Sequence, residues 1–166
     1  MSTPALCALP PDFDTAYFRS ALSQFATGIA VVITQDAHGT LHGLTVNSFT
    51  SVSLDPPLVL WSLANKARSM NAFSECSHYL INVLAEHQTE LALRFSRQLE
   101  NRFEALEFAH SRTGLPILPG VAAWFECQNR SRYHEGDHVI FVGEVERCQM
   151  NPCRTLGFHG GRFVAI

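Results

Sequence analysis

Two long strand-forming runs, residues 121–133 and 138–150, stand on either side of His134-Glu135-Gly136-Asp137. A Gly-Asp pair between two strands is the turn chemistry that a hairpin requires, so this part of the chain is committed to antiparallel sheet. The rest of the chain adds more strands. Residues 29–34 are β-branched and apolar, Asp36-Ala37-His38-Gly39 reads as a turn, and residues 41–54 carry strand character again, which predicts a hairpin with Gly43 as a candidate bulge. Pro56-Pro57 breaks that pairing. Residues 58–63 and 78–84 are further strands, and a short tail, 156–166, follows Asn151-Pro152. Helical spacing is confined to three places. Phe18, Leu22 and Phe25 recur at i, i+4 and i+7, with Asp12 or Asp14 as N-cap and Gly28 as stop, and this first helix is expected to cover the sheet. Residues 66–74 predict a short helix and residues 86–98, with Leu91 and Phe95 one turn apart, a third; residues 114–120 form a Pro/Gly loop. Many strands, few helices and short connections predict a mainly β chain, an antiparallel barrel with a few peripheral helices.

With 166 residues the chain is long enough to bury a core and too short for two comfortable ones. A single domain over residues 12–166 is expected, with the Pro-containing residues 1–11 as a loosely held N-terminal arm. A formal net charge of −3 lacks the basic footprint of a nucleic-acid binder. The five cysteines, Cys7, Cys76, Cys127, Cys148 and Cys153, are odd in number and form no C-x-x-C pair, which favours reduced thiols and a cytoplasmic setting. No charged leader precedes an apolar run and no segment is long enough to span a bilayer, so neither nucleic acid nor membrane is expected as a partner. Signatures of P-loops, Rossmann turns, zincins, EF-hands and G-x-S-x-G hydrolases are absent; Gly157-Phe158-His159-Gly160-Gly161 has the wrong spacing for a dinucleotide fingerprint. Of the eight histidines, His38 with His42 and His134 with His138 are four apart, but each pair straddles a predicted turn, and no metal site is expected.

The segment 45–57, Thr45-Val46-Asn47-Ser48-Phe49-Thr50-Ser51-Val52-Ser53-Leu54-Asp55-Pro56-Pro57, sets hydroxyl and amide groups inside an apolar strand pattern. Left without partners on burial, such groups cost roughly 1–3 kcal/mol each. The segment therefore reads either as a wall that receives a polar ligand or as an exposed Ser/Thr face that ends at the prolines.

Phe25-Ala26-Thr27-Gly28 before a β-branched run, then His42-Gly43-Leu44-Thr45-Val46-Asn47-Ser48-Phe49 through Asp55-Pro56-Pro57, resembles the flavin reductase-like family, the small reductase components of two-component flavin monooxygenases. The resemblance runs in order from Phe13 to Phe163. It continues through Ser62-Leu63-Ala64, Arg68-Ser69, Tyr79-Leu80-Ile81-Asn82-Val83-Leu84, Gln88 with Leu91 and Phe95, Arg102-Phe103, Gly136-Asp137-His138 and Gly161-Arg162-Phe163.

That resemblance implies an FMN-binding split β-barrel, a homodimer, and hydride transfer from NADH or NADPH to FMN or FAD, with reduced flavin passed to a partner monooxygenase. It implies that Thr45, Val46, Asn47 and Ser48 meet the ring and ribityl chain, with Asn47 and Ser48 as direct contacts and Phe49 and Val52 pointing into the barrel. Ser62, Leu63 and Ala64 would lie beside the phosphate region. Lys66, Arg68 and Ser69, at the start of the expected second helix, would supply charge and donors to an anion, and Arg102-Phe103 a further phosphate or ring contact. Other readings stay open for these positions: Lys66 and Arg68 as a solvated helix face, Phe103 as core, and Arg94 as the phosphate ligand in place of Arg102. His138 would be the nicotinamide-side catalytic residue, and Phe158, His159, Gly160 and Gly161 would complete that side, although Gly160 stands where the family tends to carry a basic residue. Two alternative functions share this fold: a flavin-binding barrel that is not a reductase, and a non-flavin module binding haem or a protein.

Overall fold

The computed structural model describes residues 13–97 and 101–166; the expected arm 1–11, Asp12 and Gln98 lie outside them. In chain order these residues form α1 (Thr15–Leu22), β1 (Thr27–Gly28), β2 (Ala30–Gln35), β3 (Leu41–Val46), β4 (Thr50–Leu54), β5 (Pro57–Ala64), α2 (Met70–Glu75) and β6 (His78–Val83). There follow α3 (Thr89–Ser96), β7 (Ala109–His110), β8 (Pro116–Ile117), β9 (Ala123–Glu135), β10 (His138–Met150), β11 (Leu156–His159) and β12 (Arg162–Ala165). Seven strands make one antiparallel sheet in the order β3-β2-β6-β9-β10-β5-β4, and β1, β11 and β12 make a second.

The order of the large sheet forces it to curl. Its two edge strands, β3 and β4, are joined by residues 47–49 alone. The four Cα steps from Val46 to Thr50 span at most about 15 Å, whereas six flat inter-strand spacings would hold the edges roughly 29 Å apart. The sheet therefore rolls until its edges face each other without pairing, which is the split barrel. Ser48 fastens the seam: its Oγ accepts the Ser62 N–H of β5 at 2.9 Å.

Alternation along the strands fills the inside of the roll. Val59, Trp61 and Leu63 of β5, Val139 and Phe141 of β10, Tyr79 and Ile81 of β6 and Val32 of β2 form one core with Phe73 of α2. The opposite face of β2, Val31 and Ile33, packs with Leu84, Leu118 and Val121 against Ala92 and Phe95 of α3. A strand buried on both faces reads as an unbroken apolar run, as Ala30-Val31-Val32-Ile33 does.

Several expectations are corrected. Residues 41–54 are two strands on opposite edges, because the seam at 47–49 interrupts them. Pro56-Pro57 does not end the pairing; Leu54 faces Pro57 across a tight turn with a cis Asp55–Pro56 bond, and β5 starts at Pro57. Gly43 is not a bulge, since the β2–β3 register is continuous. A Cβ there would stand 2.8 Å from the Phe95 ring and 2.9 Å from Phe103, so glycine is what lets the two rings close over β3. The second helix begins at Met70, which leaves Lys66 and Arg68 in the turn before it. Asp14 caps α1, accepting the Tyr17 N–H at 2.7 Å, but α1 stops at Leu22, and Thr27–Gly28 pairs as a strand. The first helix does not cover the sheet within this chain: none of its residues is buried, and Tyr17, Phe18 and Leu22 are exposed with Phe13 and Phe25. Val52 likewise points outward, 49 % exposed, while Phe49 packs on Phe125 at the core.

The long hairpin turns at Gly136-Asp137, with Glu135 facing His138 and Gly136 at φ 59°, a conformation open to glycine. Beneath its far end lies Glu126, fully buried. Thr113 donates to its Oε1 from N–H at 2.9 Å and from Oγ1 at 2.6 Å, and Arg147 to Oε2 at 3.2 Å. Burial pushes this carboxyl up, but hydrogen bonds from Ser111, Thr113 and Arg147 outweigh it and hold it at about 2. A carboxyl whose folded pKa lies below its unfolded value stabilises the fold above the unfolded pKa and loses that contribution as pH falls through the folded one. Resistance to urea unfolding is thus expected to fall as pH drops from 4.5 to about 2. Glu126→Gln should cost about 2 kcal/mol at neutral pH and flatten that acid decline.

Candidate functional site

A cleft of about 430 Å³ opens along β3. Its walls are Thr40 to Thr45 on one side, Ala67, Arg68 and Ser69 on another, and Phe95, Ser96, Arg102 and Phe103 on the third. Because β3 is a sheet edge, one row of its backbone groups has no strand partner. Phe95 and Phe103 meet edge to face at 5.1 Å and form the apolar part of the cleft.

The charged part is Arg102 and Arg68. The Arg102 guanidinium donates to the Gly43 carbonyl, while its Nε is buried with no partner among the described residues. Burial and the Arg68 charge both hold Arg102 below the ordinary arginine range. Two cations placed against each other, one with an unused donor, make a site that an anion relieves. Arg94, the rival to Arg102, is committed elsewhere: it donates to the carbonyls of Asn101 and Glu104 and so braces the loop that carries Arg102 and Phe103.

The other expected residues group around the seam. The Ser48 hydroxyl is engaged with the Ser62 backbone, and Asn47 is exposed beside it. Thr45 donates to the Ala92 carbonyl at 2.6 Å, tying β3 to α3 from the cleft wall. Val46 and Leu63 are core residues, 7 % and 2 % exposed, so only their backbone is free to meet a ligand. Ser62 and Ala64 lie on the outer face of β5, opposite Ile140 and His138 of β10. His138 is half-buried, with Nδ1 2.7 Å from Asp137 Oδ1. The His138 hydrogen bond is the first cause of an Asp137 carboxyl lowered from its ordinary value, and Lys66 adds a smaller pull. Asn65 docks the turn, donating its N–H to the Asp137 carbonyl at 2.9 Å. One segment, 62–69, thereby runs from the His138 face to the cleft.

Phe158, His159, Gly160 and Gly161 stand apart from these, on the second sheet. Phe158 packs on Phe163 at 5.6 Å, His159 is exposed, and Gly160 donates its N–H to the Ser23 carbonyl at 2.8 Å. Gly160 and Gly161 have φ of 57° and 78°, so a tight turn accounts for glycine there. The structure thus brings Thr45, Arg68, Ser69, Arg102 and Phe103 into one cleft, and Ser48, Ser62, Ala64 and His138 beside it. It also lines the cleft with Thr40, His42 and Ser96, which sequence reasoning did not place in a site. For His42 the signal was Asp36 across the turn.

Known proteins resemble this chain over most of its length. Residues 22–166 match the family described as flavin reductase like domain. The chain is 43 % identical over 155 residues to an FMN reductase (NADH) of Agrobacterium fabrum, covering 93 % of this chain and 88 % of that protein. It is also 43 % identical over 152 residues to a probable flavin reductase of Rhizobium meliloti, covering 91 % of this chain but 49 % of that one, so it spans about half the length of some curated relatives. Among solved structures, the NADH:FAD oxidoreductase of Streptomyces globisporus in complex with NAD and FAD fragments superposes with a TM-score of 0.87 at 32 % identity, covering 92 % of this chain and 93 % of that one. With a family match over most of its length and a relative 43 % identical across nearly the whole chain, this chain belongs to the flavin reductase-like family.

Proposed function

We propose that the chain is an NAD(P)H:flavin oxidoreductase that passes a hydride from NADH or NADPH to FMN or FAD and supplies reduced flavin to a partner monooxygenase. The observation that carries this reading is the pair of guanidiniums, Arg68 and Arg102, converging on an aromatic-walled cleft at one end of the barrel seam. The residues fit a flavin phosphate: Arg102 holds an unused buried donor, Arg68 and Ser69 stand opposite, and Gly43 leaves room for Phe103.

When bound, a flavin supplies the hydride-accepting ring; the chain's own part is binding and orientation. Arg68, Ser69 and Arg102 hold the phosphate end, with Lys66 adding charge from the same turn and Phe103 an apolar contact. Backbone groups of Thr45, Val46, Asn47 and Ser48, with Ser62, Leu63 and Ala64 of the facing strand, orient the ring along the seam. His138, held by Asp137, faces the nicotinamide from the end of the hairpin. No protein acid or base is required in the transfer.

The working unit is a homodimer of domains spanning residues 12–166. The uncovered apolar row Phe13, Tyr17, Phe18, Leu22 and Phe25 and the exposed Leu54 support this, since contiguous exposed apolar surface marks an association face. No helix among the described residues is long and apolar enough to cross a membrane, and we place the protein in the cytoplasm.

The reading is tested by following NADH and NADPH absorbance with FMN, FAD and riboflavin as acceptors, for the wild type and for His138→Ala. Oxidation of a nicotinamide with at least one flavin is expected, and the variant should raise KM for the nicotinamide or lower kcat. Flavin-coloured protein that consumes neither nicotinamide would overturn the activity and leave flavin carriage in its place.

A further inference from the structure

His42 lines the same cleft as Arg68, Ser69 and Arg102 and has no part in the mechanism above. Its Nε2 lies 2.8 Å from Oδ2 of Asp36. The other carboxylate oxygen, Oδ1, accepts the N–H groups of His38 and Thr40, each at 2.9 Å. The turn therefore fixes the carboxylate, and the carboxylate fixes the imidazole. The same contact, with the backbone bonds behind it, holds the Asp36 carboxyl at about 2, His42 being the first cause. With the Nε2 proton donated to Asp36, Nδ1 is the ring atom left for a ligand, and it donates to an anion when the ring is the imidazolium.

The position of this dyad is specific. His42 directly precedes Gly43, and the Gly43 carbonyl is where the Arg102 guanidinium is anchored. Thr40, whose amide is held by the same carboxylate, also lines the cleft, as does Ser96 at the end of α3. The monoester phosphate of FMN carries about −1.5 to −2 and each phosphate of a pyrophosphate diester carries a single charge, so Arg68 and Arg102 neutralise either, and what tells the two apart is the number of phosphate groups to be bonded. A further ring donor and two hydroxyls in the same cleft match a second phosphate joined to the first. FMN ends at one phosphate and FAD carries two.

Resting on the flavin reading of this cleft, we propose that His42, positioned by Asp36, is a specificity-determining residue that binds the second phosphate of a flavin dinucleotide, so that the site prefers FAD to FMN. Asp36 is a positioning residue, acting through the imidazole.

The test is equilibrium binding to the full chain, read by flavin fluorescence, with FAD, FMN and riboflavin as ligands and inorganic pyrophosphate or phosphate as competitors. Wild type, His42→Gln and Asp36→Asn are compared. Asparagine at 36 keeps an acceptor for the His38 and Thr40 amides, so the turn persists, which thermal melting checks. The wild type should bind FAD more tightly than FMN, and pyrophosphate should displace FAD better than phosphate does. His42→Gln should weaken FAD about tenfold, the loss of one charge-assisted hydrogen bond, and FMN by less than about twofold. Asp36→Asn should lower the FAD-to-FMN preference in the same direction. Equal weakening of both flavins, or no change in either, overturns the proposal while leaving the flavin reading intact. An unchanged preference in Asp36→Asn removes the positioning role, and a wild type that binds none of the three flavins overturns both readings together.

Discussion

Arg102→Ala is expected to weaken FMN binding by roughly 30- to 150-fold, the 2–3 kcal/mol of a hydrogen bond to a charged group, while riboflavin binding stays within about twofold. The two ligands share a ring and differ in the phosphate, so their ratio isolates what the guanidinium does. Alanine removes a cation that sits against Arg68 with one donor unused. The Gly43 carbonyl it releases belongs to an edge strand at a cleft and gains water in exchange. The fold should therefore hold, and an unchanged melting temperature beside a collapsed FMN affinity is the expected pair of results. Arg102→Lys should recover part of the loss, because a lysine keeps the charge but not the planar fork. If FMN and riboflavin weaken together, the residue serves the cleft's shape and the phosphate assignment fails.

Trp61→Ala should destabilise the fold by about 3–5 kcal/mol, a fall of roughly 10 °C in melting temperature for a chain of this size. Trp61 is fully buried at the centre of the barrel. It stacks on Phe141 at 4.7 Å and meets Phe73 and Tyr79 edge-on at 4.9 and 5.6 Å. These contacts join β5, β10, β6 and α2, so the cavity left by alanine opens between four elements at once. Among the described residues neither the indole N–H nor the neighbouring Tyr79 hydroxyl makes a hydrogen bond of ordinary geometry. Trp61→Phe removes that unpaired group with the smaller part of the volume, and should cost only about 1 kcal/mol. Urea unfolding midpoints of the two variants separate ring packing from indole hydrogen bonding; equal losses would contradict the packing account.

Strands such as Ala30-Val31-Val32-Ile33 and the long hairpin were legible because burial on one or both faces writes itself into apolar periodicity. The split of residues 41–54 into two strands was not. Asn47 and Ser48 continue the strand alternation, and what interrupts it is a bond between Ser48 and Ser62, on a strand that lies at the other side of the sheet. The second helix was placed early because Lys66 and Arg68 have good helix propensity, but Asn65 and Ala67 are held in a turn against the hairpin end. At the site, the types of residue were readable and their grouping was not. Arg94 and Arg102 are equal candidates along the chain; only the fold directs one to backbone carbonyls and the other across the cleft to Gly43. Asp36 and His42 sat across the turn of one predicted hairpin, and that weak signal pointed to a site only once the cleft gave them a neighbour.

The pairing of β10 with β5, residues 138–144 against 58–64, has a consequence for how the molecule is made. Without β10, the sheet order leaves two unconnected pieces, β3-β2-β6-β9 and the hairpin β4-β5. A chain emerging from the ribosome N-terminus first holds both pieces, with Trp61 and the edge of β5 uncovered, until the strand that unites them has cleared the exit tunnel. Long-range strand pairing of this kind is slow and leaves sticky edges open in the interval. The barrel therefore closes only once β10 has emerged, and until then the edge of β5 that it covers stays open.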